Sequence, residues 1–599
     1  MPPSKRPPSF PTRFRFRIVH RIAIGPQYRK HYALAPVSDL PRCLILSVEP
    51  VKILTFFSIG VKNLSSRLLL GFCCCLTILA GSAFIPYAGI QMDEALFAGP
   101  YYQSVPREFR LRLFHHDIPL MIMTYIGTLK TLLFWPLIAV FRSSFEAHPL
   151  LAAWVLRLPT VLAGALTVCI FFYLADRSAG RRTAVVAVLL LASDPTFLLT
   201  NTFDWGPVAL EHLLLVTGCI YLVKYAQDRA EKYLPLGFFF LGLALWNKAV
   251  FIWALAGLIC AALSVFGREL SKMITWRTFG VSAAGFLIGS LPFVIYNGHR
   301  RAETFRSSAH LEPRAAPAKF IHVRSALGGY GLFGYLVSEE ASDNPKPPAS
   351  LRGRAAVFIR DHLGEHRTGG MEYAAALALL AVPLWWRSRA AWFSLVFCAV
   401  AWFLMASTRD AGASLHHTVL LWPFPQLFVA VAVSSLPWKW LSAAISLLLV
   451  AMNLLVLCQY VAQFERNGAA GPFSDAIYPL SVSLSDVPGQ KIYVLDWGIQ
   501  YPLDVLHNGR LHMTGGHDPF MADTPSEWDK GAAARMFKDR DALFIAHTGT
   551  RENFAGVRKR FDQAAAASGC REDSARTVSD SNERPVFEVF KIACEAGDR

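Results

Sequence analysis

Residues 118–141 read IPLMIMTYIGTLKTLLFWPLIAVF, an apolar run long enough to cross a bilayer but interrupted by Pro119, Lys130 and Pro136. A lipid-facing span would hold that lysine near its middle at considerable cost. Every loop further along the chain changes sides with this one reading. Other apolar runs of roughly the length a ~30 Å hydrocarbon core requires lie at 68–85, 150–175, 184–200, 207–223, 234–246, 250–266, 279–296, 373–386, 391–406, 419–436 and 441–461. If 118–141 does not cross, the loops 176–182, 224–232, 268–277 and 387–389 and Lys439 share one side, and all carry net positive charge. Short basic loops mark the cytoplasmic side. If it does cross, the same loops face outward. The run is therefore read as a re-entrant or interfacial helical segment on the outer side. The fold class is a polytopic α-helical membrane protein of eleven spans with juxtamembrane helices, followed by an α/β soluble domain.

Composition agrees. Of 599 residues, 53% are hydrophobic and 17% charged, against about 25% charged in soluble proteins. This excludes a string of water-exposed domains, and disorder over most of the length. The net charge of +16 could signal nucleic acid, but its distribution excludes that partner. Residues 1–67 carry +10 and the stretch beyond Gln463 carries −4, with the inner loops supplying most of the rest. Residues 1–67 are expected to be a disordered, basic cytoplasmic extension, with anionic-lipid binding as the functional alternative.

Residues 68–462 form the membrane domain, with outer loops at 86–149 and 297–370. The second loop is long enough to act as a lid. Residues 463–599 read as an α/β domain on the periplasmic or extracellular side of the inner (plasma) membrane. KIYVLD (491–496), ALFIA (542–546) and VFEVFKI (586–592) have strand character, and 525–537 and 552–567 have helical character. Cys570 and Cys594 are the only cysteine pair in that region, so a disulfide is expected in an oxidising compartment.

The first outer loop opens QMDEALF (91–97), with Asp93 and Glu94 side by side just after the first span. Adjacent carboxylates let one act as a general base while the other orients an acceptor or binds a cation. They also suit the N-terminus of a solvated helix.

The order of motifs from here resembles the membrane-embedded glycosyltransferases of the GT-C type, family 39. These are the protein O-mannosyltransferases and lipid A aminoarabinose transferases. The matching features are Asp93-Glu94 in MDEALFA, then His115-His116-Asp117-Ile118-Pro119, then Arg157-Leu158-Pro159-Thr160 and the basic turn DRSAGRR (176–182). Ser193-Asp194-Pro195, Asp204 in NTFDWGP and Asn247-Lys248-Ala249 follow in turn. The resemblance covers about residues 68–300. It implies a polyprenyl-phosphate sugar donor and a glycolipid, glycan or protein acceptor, with membrane lipid around both. It further implies inversion at the anomeric carbon, with Asp93 as the base and Glu94 assisting.

The leaving phosphate needs cations, for which Arg157, Lys130, Lys248 and Arg300 or Arg301 are candidates. Family members often place a lysine before the juxtamembrane proline; this chain has Ile118 there, with Lys130 as the substitute. Arg157 could instead form a structural ion pair with Glu94 or Asp204, and Lys248 could snorkel to the interface. Asp204 is a substrate-binding candidate beside Trp205, a residue type that commonly anchors at the interface. His116, Asp117, His416 and His417 complete the substrate-binding candidates. A divalent metal ion held by His116, His416 and Glu94 is one reading, and hydrogen bonding to acceptor or phosphate is another. A secondary transporter is the competing class, but such proteins place ionisable groups at midplane in inverted repeats, and no repeat is visible here.

Overall fold

The computed structural model describes residues 64–102, 109–113, 116–342, 347–487 and 489–594. The basic extension lies outside them, apart from its last residues at the start of the first helix. The elements run in order from α1 (Leu64–Phe84) through α2 (Met92–Leu96), strands β1 (Phe109–Leu113), β2 (His116–Met123) and β3 (Ile126–Gly127), to α3 (Leu129–Phe141). Then come α4 (Pro149–Ala179), α5 (Arg181–Ser193), α6 (Pro195–Thr202), α7 (Val208–Asp228), α8 (Tyr233–Asn247), α9 (Phe251–Met273) and α10 (Trp276–His299). The long loop after α10 carries α11 (Glu303–Ser308), α12 (Ala316–Gly328) and α13 (Leu351–Leu363). The membrane domain closes with α14 (Met371–Leu380), α15 (Val382–Trp385), α16 (Arg389–Ala406), α17 (Leu415–Thr418), α18 (Phe424–Ser434) and α19 (Lys439–Asn467).

Among the described residues, seven helices are long and apolar enough to cross a membrane. Two bent pairs, α5 with α6 and α17 with α18, bring the count to nine, and the shorter apolar helices α8 and α14 occupy the two remaining runs. The α5–α6 bend of 55° falls at Asp194-Pro195. Pro195 opens α6, where it needs no N–H partner, and Asp194 caps it by accepting from Phe197 N at 2.8 Å. The second oxygen of Asp194 accepts from Trp422 Nε1 and Gln426 Nε2, which ties this bend to the other bent pair. Helices α8 and α10 meet backbone to backbone. A Cβ at Gly285 or Gly289 would lie 2.4 or 2.2 Å from a carbonyl of α8, the close approach that a G-x-x-x-G spacing permits.

The expectation for 118–141 is half corrected. The run does not form a span, but its first part is strand rather than helix. β2 pairs antiparallel with β1 and with β3, and Thr128 closes the sheet by donating to the Pro119 carbonyl at 2.6 Å. Only α3 is helical, at 13 residues, too short for the ~20 that a crossing takes.

The soluble domain contains α20 (Ile477–Ser483), β4 (Lys491–Val494), α21 (Gln500–Leu506), β5 (His512–Gly515), α22 (Glu527–Phe537), β6 (Leu543–His547), α23 (Val557–Ala567), β7 (Cys570–Ser579) and β8 (Pro585–Cys594). The sheet order is β5-β4-β6-β8-β7, with β5, β4 and β6 parallel and β8 and β7 antiparallel. Cys570 faces Cys594 in register, and the two are disulfide-bonded. The three regions expected on one side do meet: Gly89 N donates to Phe473 O at 2.8 Å, Ser338 N to Gly468 O at 3.0 Å, and Arg551 pairs with Glu340 at 3.0 Å.

Candidate active site

Asp93 is held by a short helix with both ends of its first turn tied down. Gln91 caps α2, its side-chain oxygen accepting from Asp93 N (2.7 Å) and Glu94 N (3.1 Å), while Glu94 Oε2 accepts from Gln91 N at 3.2 Å. Glu94, expected to assist catalysis, is committed elsewhere. Both of its oxygens meet Arg157, at 2.7 Å from Nε and 2.9 Å from NH2. The remaining arginine donors reach the carbonyls of Ile85, Ala88 and Gly89 at 2.6–2.8 Å. Arg157 is fully buried. With all five N–H groups used, it has none for a phosphate. It clamps residues 85–94 and thereby places Asp93, a correction to its expected role.

Lys130 and Asp204 are corrected in the same way. Lys130 Nζ donates to both the side chain and the carbonyl of Asp204 at 2.8 Å and lies 4.4 Å from the Phe97 ring centroid. The other carboxylate oxygen of Asp204 accepts from Val208 N and Ala209 N at the start of α7. This buried pair locks α3 to α7 and leaves neither charge for substrate. Asp117 faces Arg110 across the hairpin at 3.7 Å. His116 is a β2 residue paired with Leu113. Arg300 ends α10, and no hydrogen bond or ion pair joins it to the residues described next.

Lys248 stands apart from these. Its backbone bridges Ile126 of β3, and Ala249 N donates to Tyr125 O at 2.9 Å, so the hairpin fixes this turn. Its Nζ donates to Gly206 O at 3.0 Å. Burial pulls the ammonium down to about 8, opposed by Glu211, Asp204 and Asp93. Burial pushes the Asp93 carboxyl up to about 6, with Gln91 and Lys248 opposing.

His416 completes the cluster. Trp205 is 3% exposed and so is no interface anchor; its Nε1 donates to His416 Nδ1 at 3.0 Å. An indole N–H can only donate, so Nδ1 is an acceptor and the ring proton sits on Nε2. Ser414 Oγ lies 3.0 Å from the same Nδ1 and 3.4 Å from that of His417. The His416 ring edge and Lys248 Nζ both press on Gly206, whose imagined Cβ would be 2.7 Å from His416 Cδ2 and 3.1 Å from Lys248 Nζ. Gly206→Ala is expected to lower kcat/KM by about 10²-fold through displacement of these two groups, and to lower the thermal unfolding midpoint through an overpacking cost of about 1–3 kcal/mol. Steady-state kinetics beside a melting curve checks this.

Three tyrosines that sequence reasoning missed feel the charge of Asp93, each from a different region of the chain: Tyr125 from the hairpin, Tyr335 from the long loop, Tyr501 from α21. Burial pushes all three phenols up, and the Asp93 charge adds to each, with Asp504 also acting on Tyr501. Tyr335 packs on Trp205 and Phe473 at centroid separations of 5.6 and 5.7 Å. Nothing local in the sequence marks these residues, because only the fold gathers them. Among the described residues no group of three or more His, Cys, Asp or Glu side chains is placed to hold a metal ion. Of the proposed metal set, Glu94 is spent on Arg157.

The family model described as dolichyl-phosphate-mannose-protein mannosyltransferase matches residues 150–296, from α4 to α10. That match covers only part of the chain, within the set of helices long and apolar enough to cross a membrane. Among solved structures the chain is similar to ArnT from Cupriavidus metallidurans bound to undecaprenyl phosphate, at 13% identity over 87% of this chain and 97% of that one, with a TM-score of 0.49. It is also similar to the apo oligosaccharyltransferase of Archaeoglobus fulgidus, at 13% identity over 90% and 75% of the two chains and a TM-score of 0.47. No match was found among curated proteins.

Proposed function

We propose that this enzyme transfers a sugar from a polyprenyl-phosphate carrier to an acceptor hydroxyl at the outer face of the plasma membrane, with inversion. Asp93 takes the hydroxyl proton as that oxygen attacks the anomeric carbon. The bond from that carbon to the phosphate oxygen breaks, and the phosphate leaves with its charge met by Lys248 and the Nε2 proton of His416. The observation that carries this reading is the division of labour among the charges. Glu94, Arg157, Lys130 and Asp204 are used up in buried pairs, which leaves Asp93 and Lys248 as the opposite charges that act on each other outside those pairs. The description of the matching family model supports the carrier class. The disulfide of the soluble domain supports an oxidising compartment on the side of the site, as do the basic loops at the opposite end of the helices.

The test is the pH dependence of transfer. Asp93 must be ionised, so kcat/KM rises as pH passes through about 6. Lys248 must be protonated, so it falls as pH passes through about 8. The expected profile is a bell whose alkaline limb disappears in Lys248→Met, at a much lower maximum. A wild-type profile flat across both of these transitions would speak against both assignments.

A further inference from the structure

One charge in the long loop after α10 is spent entirely on backbone. Lys319, in α12, is 7% exposed, and its Nζ donates to the carbonyls of Thr408 (2.5 Å), Ala411 (2.9 Å) and Arg409 (3.1 Å). An ammonium has three donors, so none is left for a ligand. Burying a charge among neutral carbonyls costs more than an apolar contact would, and what it secures here is the shape of residues 408–411. The segment leading into α12 grips the same turn. Glu312 N donates to Ser407 O and Arg409 N to His310 O, both at 2.7 Å. Gly412 then folds the chain back on the end of α16 with a φ of +70°, where a Cβ would lie 3.1 Å from Ala406 Cα.

His416 follows directly on this turn, and the long loop reaches its surroundings at two further points. At Leu415 the approach is so close that a Cβ at Gly331 would lie 2.3 Å from Leu415 Cδ1. Behind the imidazole, Tyr335 packs on Trp205, whose Nε1 sets the His416 tautomer through Nδ1. Ser414 Oγ, between the turn and the ring, lies 3.0 Å from that same Nδ1. One loop therefore braces the turn before His416, the residue beside it and the indole behind it. Lys319 is the side chain that does so with hydrogen bonds, and a hydrogen-bonded turn has one geometry where a packed one has several.

We propose that Lys319 is a positioning residue for the donor: it fixes the turn that aims His416 Nε2 at the phosphate, and so makes the long loop part of the phosphate site. This rests on the reading of His416 as a phosphate partner. The test uses the full-length protein in lipid nanodiscs with isotopically labelled histidine, and nitrogen NMR of the His416 ring, assigned as the signal missing from His416→Ala. Wild type is expected to show a protonated Nε2 and a bare Nδ1. Lys319→Met is expected to lose that pattern and to lower kcat/KM for a polyprenyl-phosphate sugar by about 10²-fold. In the His416→Ala background the same change is expected to lower kcat/KM no further, because groups that act as one unit are not additive. Lys319→Gln, which keeps an amide donor, is expected to give a smaller loss of both, and it decides the matter if the methionine variant does not fold. An unaltered His416 signal in these variants, or losses that multiply in the double variant, would overturn the assignment. Normal transfer by His416→Ala, with the ring signal still lost in Lys319→Met, would instead overturn the phosphate role of His416 and leave the brace standing.

Discussion

Replacement of Asp93 by asparagine is expected to lower kcat by about 10²–10⁴-fold, the range that loss of a general base costs, with little change in KM for the donor. The amide keeps the shape of the carboxylate and cannot take a proton. The same change should not weaken the fold. Burial raises the Asp93 carboxyl above its ordinary value, so the folded chain holds that proton more tightly than the unfolded one. Stability contributed by this group therefore falls as pH rises from its ordinary value to about 6 and stays reduced above it. An amide at this position removes that cost, so the unfolding midpoint of Asp93→Asn at neutral pH should equal or exceed that of the wild type. Loss of activity with an unimpaired melting curve separates a catalytic group from a structural one.

Arg157→Ala is expected to do the opposite, costing about 3–5 kcal/mol of stability by stranding Glu94 in a buried site. Lysine cannot substitute, because one ammonium cannot replace a fork of five donors engaging a carboxylate and three carbonyls. Nor should a Glu94→Leu/Arg157→Leu double change restore the fold, since the carbonyls of Ile85, Ala88 and Gly89 would still lose their donor. A thermal melt of the full chain in detergent measures this. A phosphate ligand would behave differently, with donor KM rising and the melting curve unmoved.

The pattern of what could be read beforehand follows from the physics. Apolar runs of span length announce long apolar helices one by one, because that signal is local. Strands β4, β6 and β8 are legible for the same reason, as apolar β-formers, whereas the polar strand CREDSARTVS of β7 looks like loop until β8 pairs with it. The hairpin β1–β2 hides inside an apolar run because nothing in IPLMIM marks a register set by residues 109–113. At the site, charged residues near the right interface are visible, but not their partners. Glu94 lies 63 positions from Arg157, and Lys130 lies 74 from Asp204. Adjacent Asp93 and Glu94 look interchangeable until the helix cap and the arginine take one and leave the other. The tautomer of His416 depends on Trp205, 211 residues away, and no spacing could announce it.

The proposed role of Asp93 as a base, rather than a nucleophile, is read out by the anomeric configuration of the product. With the purified full chain, a polyprenyl-phosphate sugar of defined configuration and a hydroxyl acceptor, NMR of the initial product is expected to show inversion, since Asp93 deprotonates the acceptor and forms no bond to the sugar. Retention of configuration, or a sugar adduct trapped on Asp93, would contradict it.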